Sequence, residues 1–125
     1  SMAEHLYFKT TNTILYCQQW QTTVDFYRHV LALPMTHESD WFVEFQLTAS
    51  AHLSVADERR ATIKSSGGAG ITLTFQVDAI QAVWQTLQAN GGAPGPIRDH
   101  AWGAQVFYLR DPEGHRLEFW SPTAI

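Results

Sequence analysis

The chain has 125 residues and a mass of 14.1 kDa. That is one domain's length, enough to bury roughly two-thirds of the surface exposed when unfolded. It is 45% hydrophobic, 13% aromatic and 16% charged, with a net charge of −4 and a pI near 5.8. These values exclude a disordered chain, and no apolar run is long enough for a membrane-spanning helix.

No basic cluster exists beyond Arg59-Arg60, so nucleic acid is not an expected partner. The single cysteine, Cys17, allows neither an intrachain disulfide nor a cysteine-rich zinc site. No secretory signal pattern is visible, and a reducing cytoplasm is the expected location. Ser1 ahead of Met2 reads as a cleavage scar and is set aside. Five Trp, four Tyr and seven Phe are an unusual aromatic wealth; most are expected to fill the core, and some to hold a flat or apolar ligand.

In chain order, Thr11 to Cys17 reads as a strand. Apolar residues at Trp20, Val24, Tyr27, Val30 and Leu31 have helical spacing, predicting a helix over about 20–33. Thr22 or Thr23 is its expected cap and Pro34 its stop. Strands follow near Trp41 to Leu47 and Ala51 to Ala56. Asp57 to Gly70 reads as a surface linker.

Then the pattern restarts. Ile71 to Val77 is a strand. Asp78 is the expected N-cap of a helix over about 78–90, striped by Ile80, Val83, Trp84 and Leu87. Asn90-Gly91-Gly92 ends it. Pro94 and Pro96 bracket an extended piece. Gln105 to Arg110 and Arg116 to Trp120 are strands around the turn Asp111-Pro112-Glu113-Gly114. A shift of 60 residues places Asn12 on Thr72, Val24 on Trp84 and Tyr27 on Leu87. The order strand, helix, strands occurs twice, which suggests a duplicated βαβββ unit. Residues 1–125 are read as a single α+β domain, with modules over about 6–60 and 68–122.

The segment Phe26-Tyr27-Arg28-His29-Val30-Leu31-Ala32-Leu33 resembles the F-Y-x-x-x-L-G-L signature of the vicinal oxygen chelate superfamily, with Ala32 replacing the usual Gly. This is the glyoxalase, bleomycin-resistance and extradiol-dioxygenase group. Asn90-Gly91-Gly92, Trp102-Gly103 and Phe107-Tyr108-Leu109-Arg110-Asp111-Pro112-Glu113-Gly114-His115-Arg116-Leu117-Glu118 resemble it too. The resemblance implies two βαβββ modules that form a curved-sheet cleft, paired within or between chains in a homodimer.

It also implies where a metal would be held in metal-using members. The four ligand positions fall on Asn12, Ser54, Thr72 and Glu118. Of these only Glu118 is an ordinary ligand for zinc, iron or nickel. A two-residue change of register would add His52, giving Glu118 and His52, still short of the three ligands that catalytic zinc uses. No metal and no cofactor are expected, and no catalytic residue is assigned. His5, His29, His37, His100 and His115 are assigned surface roles, and Cys17 a buried one.

Strand alternation puts Asn12, Ile14 and Tyr16 on one face. The second half adds Thr72, Thr74 and Gln76, and the last strand adds Arg116, Glu118 and Trp120. The expected ligand-binding set is Asn12, Tyr16, His52, Ser54, Thr72, Thr74, Trp102, Glu118 and Trp120. Metal-free members of the superfamily include antibiotic-sequestering proteins, which implies a small-molecule binder for an aromatic or cationic ligand. The alternative is a metal-dependent lyase, isomerase or dioxygenase with an atypical ligand set.

Overall fold

The computed structural model describes residues 2–123. The first module is β1 (Thr11–Cys17), α1 (Trp20–Asp25), β2 (Met35–Glu38), β3 (Phe42–Thr48) and β4 (Ala51–Asp57). The second is β5 (Thr72–Gln76), α2 (Ile80–Ala89), β6 (Arg98–His100), β7 (Ala104–Arg110) and β8 (Arg116–Pro122). Each module forms a four-stranded sheet, ordered β1-β4-β3-β2 and β5-β8-β7-β6. In each sheet the first and last strands of the module run parallel and the remaining neighbours antiparallel. The fold is α+β, two βαβββ modules whose sheets do not close into a barrel. None of the described helices is long and apolar enough to cross a membrane.

β2 and β6 are the strands hardest to read from pattern. All four residues of β2 are exposed, so it shows no apolar alternation. β6 is only three residues long and lies after the two prolines.

The first helix is shorter than its apolar stripe. After Asp25 it loosens into a π-helical turn, Phe26–Val30, closed by Leu31 N–H donating to Phe26 O (3.1 Å). Ala32 then takes a left-handed φ of 54°, which ends the helix before Pro34. Neither Thr22 nor Thr23 caps it. Gln19 holds the N-cap position, and Thr23 Oγ1 donates back to Gln19 O (2.7 Å). Asp78 does not cap α2 either. Ala79 sits at that N-cap and Ile80, drawn into the core, is the first helical residue. The end of α2 matches its sequence. Gly91 is left-handed at φ 94°, and the bonds Gly91 N–H to Gln88 O and Gly92 N–H to Leu87 O form a Schellman pair.

One core joins the modules. The odd-numbered face of sheet 1 supplies Leu15, Val43, Phe45, Leu53 and Val55. The odd face of sheet 2 supplies Phe107, Leu109, Leu117 and Phe119, with Phe107 and Phe119 stacked at 5.0 Å. The helices add Val24, Phe26, Tyr27, Ile80 and Leu87. The even-numbered faces therefore lie on the sides of the sheets away from this core.

The Asp111–Gly114 turn is a clasp between modules. Asp111 Oδ1 accepts the backbone N–H groups of Glu113, Gly114 and His115 at 3.0, 3.0 and 2.9 Å. Its Oδ2 accepts Tyr27 O–H (2.7 Å) and meets His115 Nδ1 (2.8 Å). His115 is thus buried, not a surface residue, because it completes this network. Glu113 accepts Gln18 and Gln19 N–H (2.9 and 2.8 Å), so it caps α1 from the other module, and it also takes the Ser65 hydroxyl. The segment expected as a plain linker joins in. Gly68 is buried against Gly114, and a Cβ there would collide with the Gly114 carbonyl.

Burial and the nearby carboxylates of Glu113 and Asp111 push the Cys17 thiol up to about 12. It is a buried, protonated core residue.

Candidate ligand-binding site

Strand pairing fixes which residues share each even face. On sheet 1, Asn12 lies opposite His52, Ile14 opposite Ser54 and Tyr16 opposite Ala56. Glu44 and Gln46 of β3 continue the face. On sheet 2, Thr72 lies opposite Arg116, Thr74 opposite Glu118 and Gln76 opposite Trp120. Tyr108 and Arg110 of β7 extend that face. The two registers make Ser54 and Glu118 equivalent positions, so no two-residue shift brings His52 into that role.

Sheet 1 carries a directed hydrogen-bond chain. The fully buried Ser54 hydroxyl donates to Asn12 Oδ1 (2.8 Å), and Asn12 Nδ2 donates to Glu44 Oε2 (3.3 Å). Thr36 Oγ1 donates to Glu44 Oε1 (2.8 Å). Glu44 is the residue the sequence reading missed. Its signal was its place two residues from Phe42 and Gln46 in an alternating strand, next to the candidate positions.

Sheet 2 carries a second network. Thr74 Oγ1 donates to Glu118 Oε1 (2.6 Å), and Tyr108 O–H donates to Glu118 Oε2 (3.2 Å). Partial burial and the Glu118 carboxylate raise the Tyr108 phenol, which Arg116 opposes only weakly. It therefore stays a donor. Arg116 Nε donates to Thr72 Oγ1 (3.1 Å), and its guanidinium carbon lies 4.6 Å from the Tyr108 ring centre. At the far end Trp120 meets Trp102 edge-on at 5.6 Å, and Trp102 meets His100 at 6.0 Å. Trp102 is 60% exposed, beside Gly103 at φ 85°.

So Asn12 and Ser54 come together, with Tyr16 and His52 on the same face. Thr72, Thr74, Glu118, Trp120 and Trp102 share the other face. Among the described residues, no hydrogen bond joins the two faces within one chain.

The fold's metal positions do not fit a divalent cation. Asn12 and Ser54 are neutral and bonded to each other, Thr72 accepts from Arg116, and Glu118 is engaged by two hydroxyls. Among the described residues no three His, Cys, Asp or Glu side chains are grouped to hold an ion.

Two grooves adjoin these faces. One of about 780 Å³ runs between the modules past the β5 edge and is lined by Leu31, Leu47, Phe75, Val83, Leu87 and Phe119 among others. Thr48, Thr74, Gln76 and Thr86 give it neutral hydrogen-bonding groups, but no titratable residue lines it, so it does not offer a charge to a ligand. A second, of about 690 Å³, is lined by Phe26, Gly91, Gly92, Tyr108, Arg110 and Arg116 among others, and it does.

The family model for the glyoxalase/bleomycin resistance protein/dioxygenase superfamily matches residues 9–119. The chain belongs to this superfamily. No curated protein matches its sequence. Superfamily structures align over nearly the whole chain. A glyoxalase/bleomycin resistance protein/dioxygenase from Nocardioides has a TM-score of 0.79 at 17% identity, covering 97% of this chain and 87% of its own. TnmS3, an antibiotic binding protein from Streptomyces sp. CB03234, gives 0.77 at 17%, covering 96% and 100%. Lactoylglutathione lyase from Agrobacterium tumefaciens gives 0.71 at 19%, covering 89% and 91%. At such identities the superfamily likeness is one of fold, shared by a binder and a lyase alike.

Proposed function

We propose that the chain is a small-molecule-binding member of the superfamily that holds an aromatic, antibiotic-like ligand without a metal. The observation that carries this reading is the Trp102–Trp120 pair at one end of a polar sheet face, with Trp102 largely exposed. An edge-on indole pair with an open face stacks a planar ring, and Glu118, Tyr108 and Thr74 beside it supply orienting hydrogen bonds. The antibiotic-binding fold neighbour supports the same class. The unsuited donor set argues against the metal-dependent lyase, isomerase or dioxygenase reading.

The working unit in this proposal is a homodimer. β1 and β5 each leave one edge of their sheets open. The two faces of one chain also differ in charge. Sheet 1 shows Glu44 without a cation, whereas sheet 2 shows Arg98, Arg110 and Arg116 against Glu118. A second copy sets the acidic face of one chain near the basic face of the other and closes both sites.

A thermal-shift panel of planar aromatic antibiotics tests the reading, since a ligand of the folded state raises its melting temperature. A hit is expected that quenches Trp fluorescence and loses about 1–3 kcal/mol of affinity in Trp120→Ala. A hit whose affinity and quenching are unchanged in that variant overturns the site. Elemental analysis of protein purified without chelator or histidine tag is expected to find well under one transition metal per chain. Light scattering that gives a single 14.1 kDa species at micromolar concentration overturns the dimer.

A further inference from the structure

We propose that the ligand held on the sheet 2 face carries an anionic group, a carboxylate or a phosphate ester, bound by Arg116 and Arg110 at the end of that face away from Trp120. The proposal rests on the aromatic-ligand reading above and adds the ligand's charge and length.

Of the eight Lys and Arg residues, Arg28, Arg59 and Arg60 are ion-paired and Lys64 donates to two carbonyls. Lys9, Arg98, Arg110 and Arg116 remain without a carboxylate in reach among the described residues. Three of those four lie on the even face of sheet 2. A chain with a net charge of −4 thus concentrates its free positive charge on one face.

Arg110 and Arg116 are also directly opposite each other on neighbouring strands. Like charges in that position repel, so the pair costs stability unless an anion sits between them. Arg116 is held in place by Thr72 through Nε and by the Tyr108 ring, and among the described residues no hydrogen bond takes up its two terminal nitrogens. Arg110 uses Nη1 on the Gly114 carbonyl (2.9 Å). Both side chains line the same groove of about 690 Å³. An anchored guanidinium loses little freedom on binding and suits a two-oxygen anion.

The spacing sets the ligand's length. Arg116, Glu118 and Trp120 are alternate residues of β8, so Arg116 and Trp120 are about 13 Å apart along the strand. Glu118 lies between them as an acceptor. The ligand class is an elongated aromatic acid: a ring at one end, a hydrogen-bond donor in the middle and an anion at the other end.

Three dansyl probes with the same ring test this. Dansyl-6-aminohexanoate is an anion with a sulfonamide N–H in the middle, dansylamide is neutral, and dansylcadaverine is a cation. Titrations follow dansyl fluorescence at low salt. The hexanoate is expected to bind at least about tenfold more tightly than dansylcadaverine, with the preference shrinking as salt is raised. Arg116→Gln and Arg110→Gln are each expected to weaken the hexanoate about tenfold and leave dansylamide unchanged, while Arg116→Lys recovers part of the loss. Phosphate or acetate added as competitor separates the two anion chemistries. The proposal is overturned if dansylcadaverine binds as tightly as the hexanoate, or if the glutamine variants leave the preference intact. In either case dansylamide binding that depends on Trp120 leaves the aromatic site standing. If none of the probes binds, the aromatic site falls and this proposal with it.

Discussion

The two modules share a plan but not a division of labour. Ser54 and Glu118 occupy equivalent positions, as do Glu44 and Tyr108 on the neighbouring strands. In the first module the acid is on the inner antiparallel strand and the small hydroxyl on the last. In the second the hydroxyl, now a phenol, is on the inner strand and the acid on the last. Each face still ends with one carboxylate held by neutral donors. What differs is the surround: sheet 2 adds arginines and tryptophans, and sheet 1 adds none. The two modules share a frame, and the arginines and the tryptophan of the even faces lie on sheet 2 alone.

The turns differ in the same way. The first module joins its last two strands with Ala49 and Ser50 alone, the second with Asp111–His115. Tyr27, in the π-helical turn after α1, reaches Asp111, but Leu87 stands at the equivalent place in α2 and has no such bond to offer. The clasp therefore runs one way only. Asp111→Ala is expected to have the largest effect, costing about 3–5 kcal/mol, because it strands a buried phenol and imidazole. Ser50→Ala, in the matching turn, is expected to stay within about 0.5 kcal/mol. Urea denaturation of both variants measures the contrast. Equal losses would show that the turns are interchangeable and that the clasp is not what joins the modules.

The same network gives a pH signature. Burial alone would raise Asp111, but the hydrogen bonds from His115 and Tyr27 outweigh it and hold the carboxyl below its usual 3.8. A lowered carboxyl stabilises the fold above its unfolded value and loses that contribution as pH falls through the folded one. The wild type is therefore expected to lose stability on acidification below about pH 4 more steeply than Asp111→Asn. Tyr27 has the opposite sign. Burial, then the Asp111 carboxylate, holds its phenol well above 10, so its contribution is full below pH 10 and is lost as pH rises beyond. Cys17 behaves likewise, from 9.0 to about 12. Native protein at pH 8 is expected to react with iodoacetamide on the order of a thousandfold more slowly than urea-unfolded protein. Equal rates would mean that the first strand opens readily, and that the second module is the stable one.

Much of the fold was legible because it rests on local signals. Alternation in TNTILYC and ITLTFQV, the Ile80–Leu87 stripe and the glycines after Asn90 each act within a few residues. The helix starts were not legible. Asp78 and Thr22 are good caps by type, but Ile80 is pulled inward by the core and Glu113 reaches α1 from 94 residues away. His115 looked like a surface residue for the same reason, since the carboxylate that holds it, Asp111, is itself held by Tyr27 of the other module. On the site, alternation placed Glu118, Thr74 and Trp120 on one face. It did not reveal Glu44, whose meaning comes only from Asn12 and Thr36 across the sheet.

The smallest expected effect concerns how the two helices stop. α2 ends at Gly91, left-handed at φ 94° with open space where a Cβ would point. The π-helical turn that continues α1 ends at Ala32, left-handed at φ 54°, where the side chain is exposed. The geometry asked of the backbone is similar, but only one module uses the residue that adopts it freely. Gly91→Ala meets no neighbour, so its cost is the left-handed strain itself, about 1 kcal/mol. Ala32→Gly relieves the same strain. It also frees the unfolded chain, which returns part of the gain, leaving a stabilisation of about 0.5 kcal/mol. Thermal melts of the two single variants and the double are the measurement. The signs should be opposite, and the double should equal their sum, because the two sites share no side-chain contact. If Ala32→Gly destabilises instead, the π-helical turn Phe26–Val30 needs the stiffness that alanine gives it. The first module's helix end would then be a built feature, not a tolerated departure from the pattern of the second.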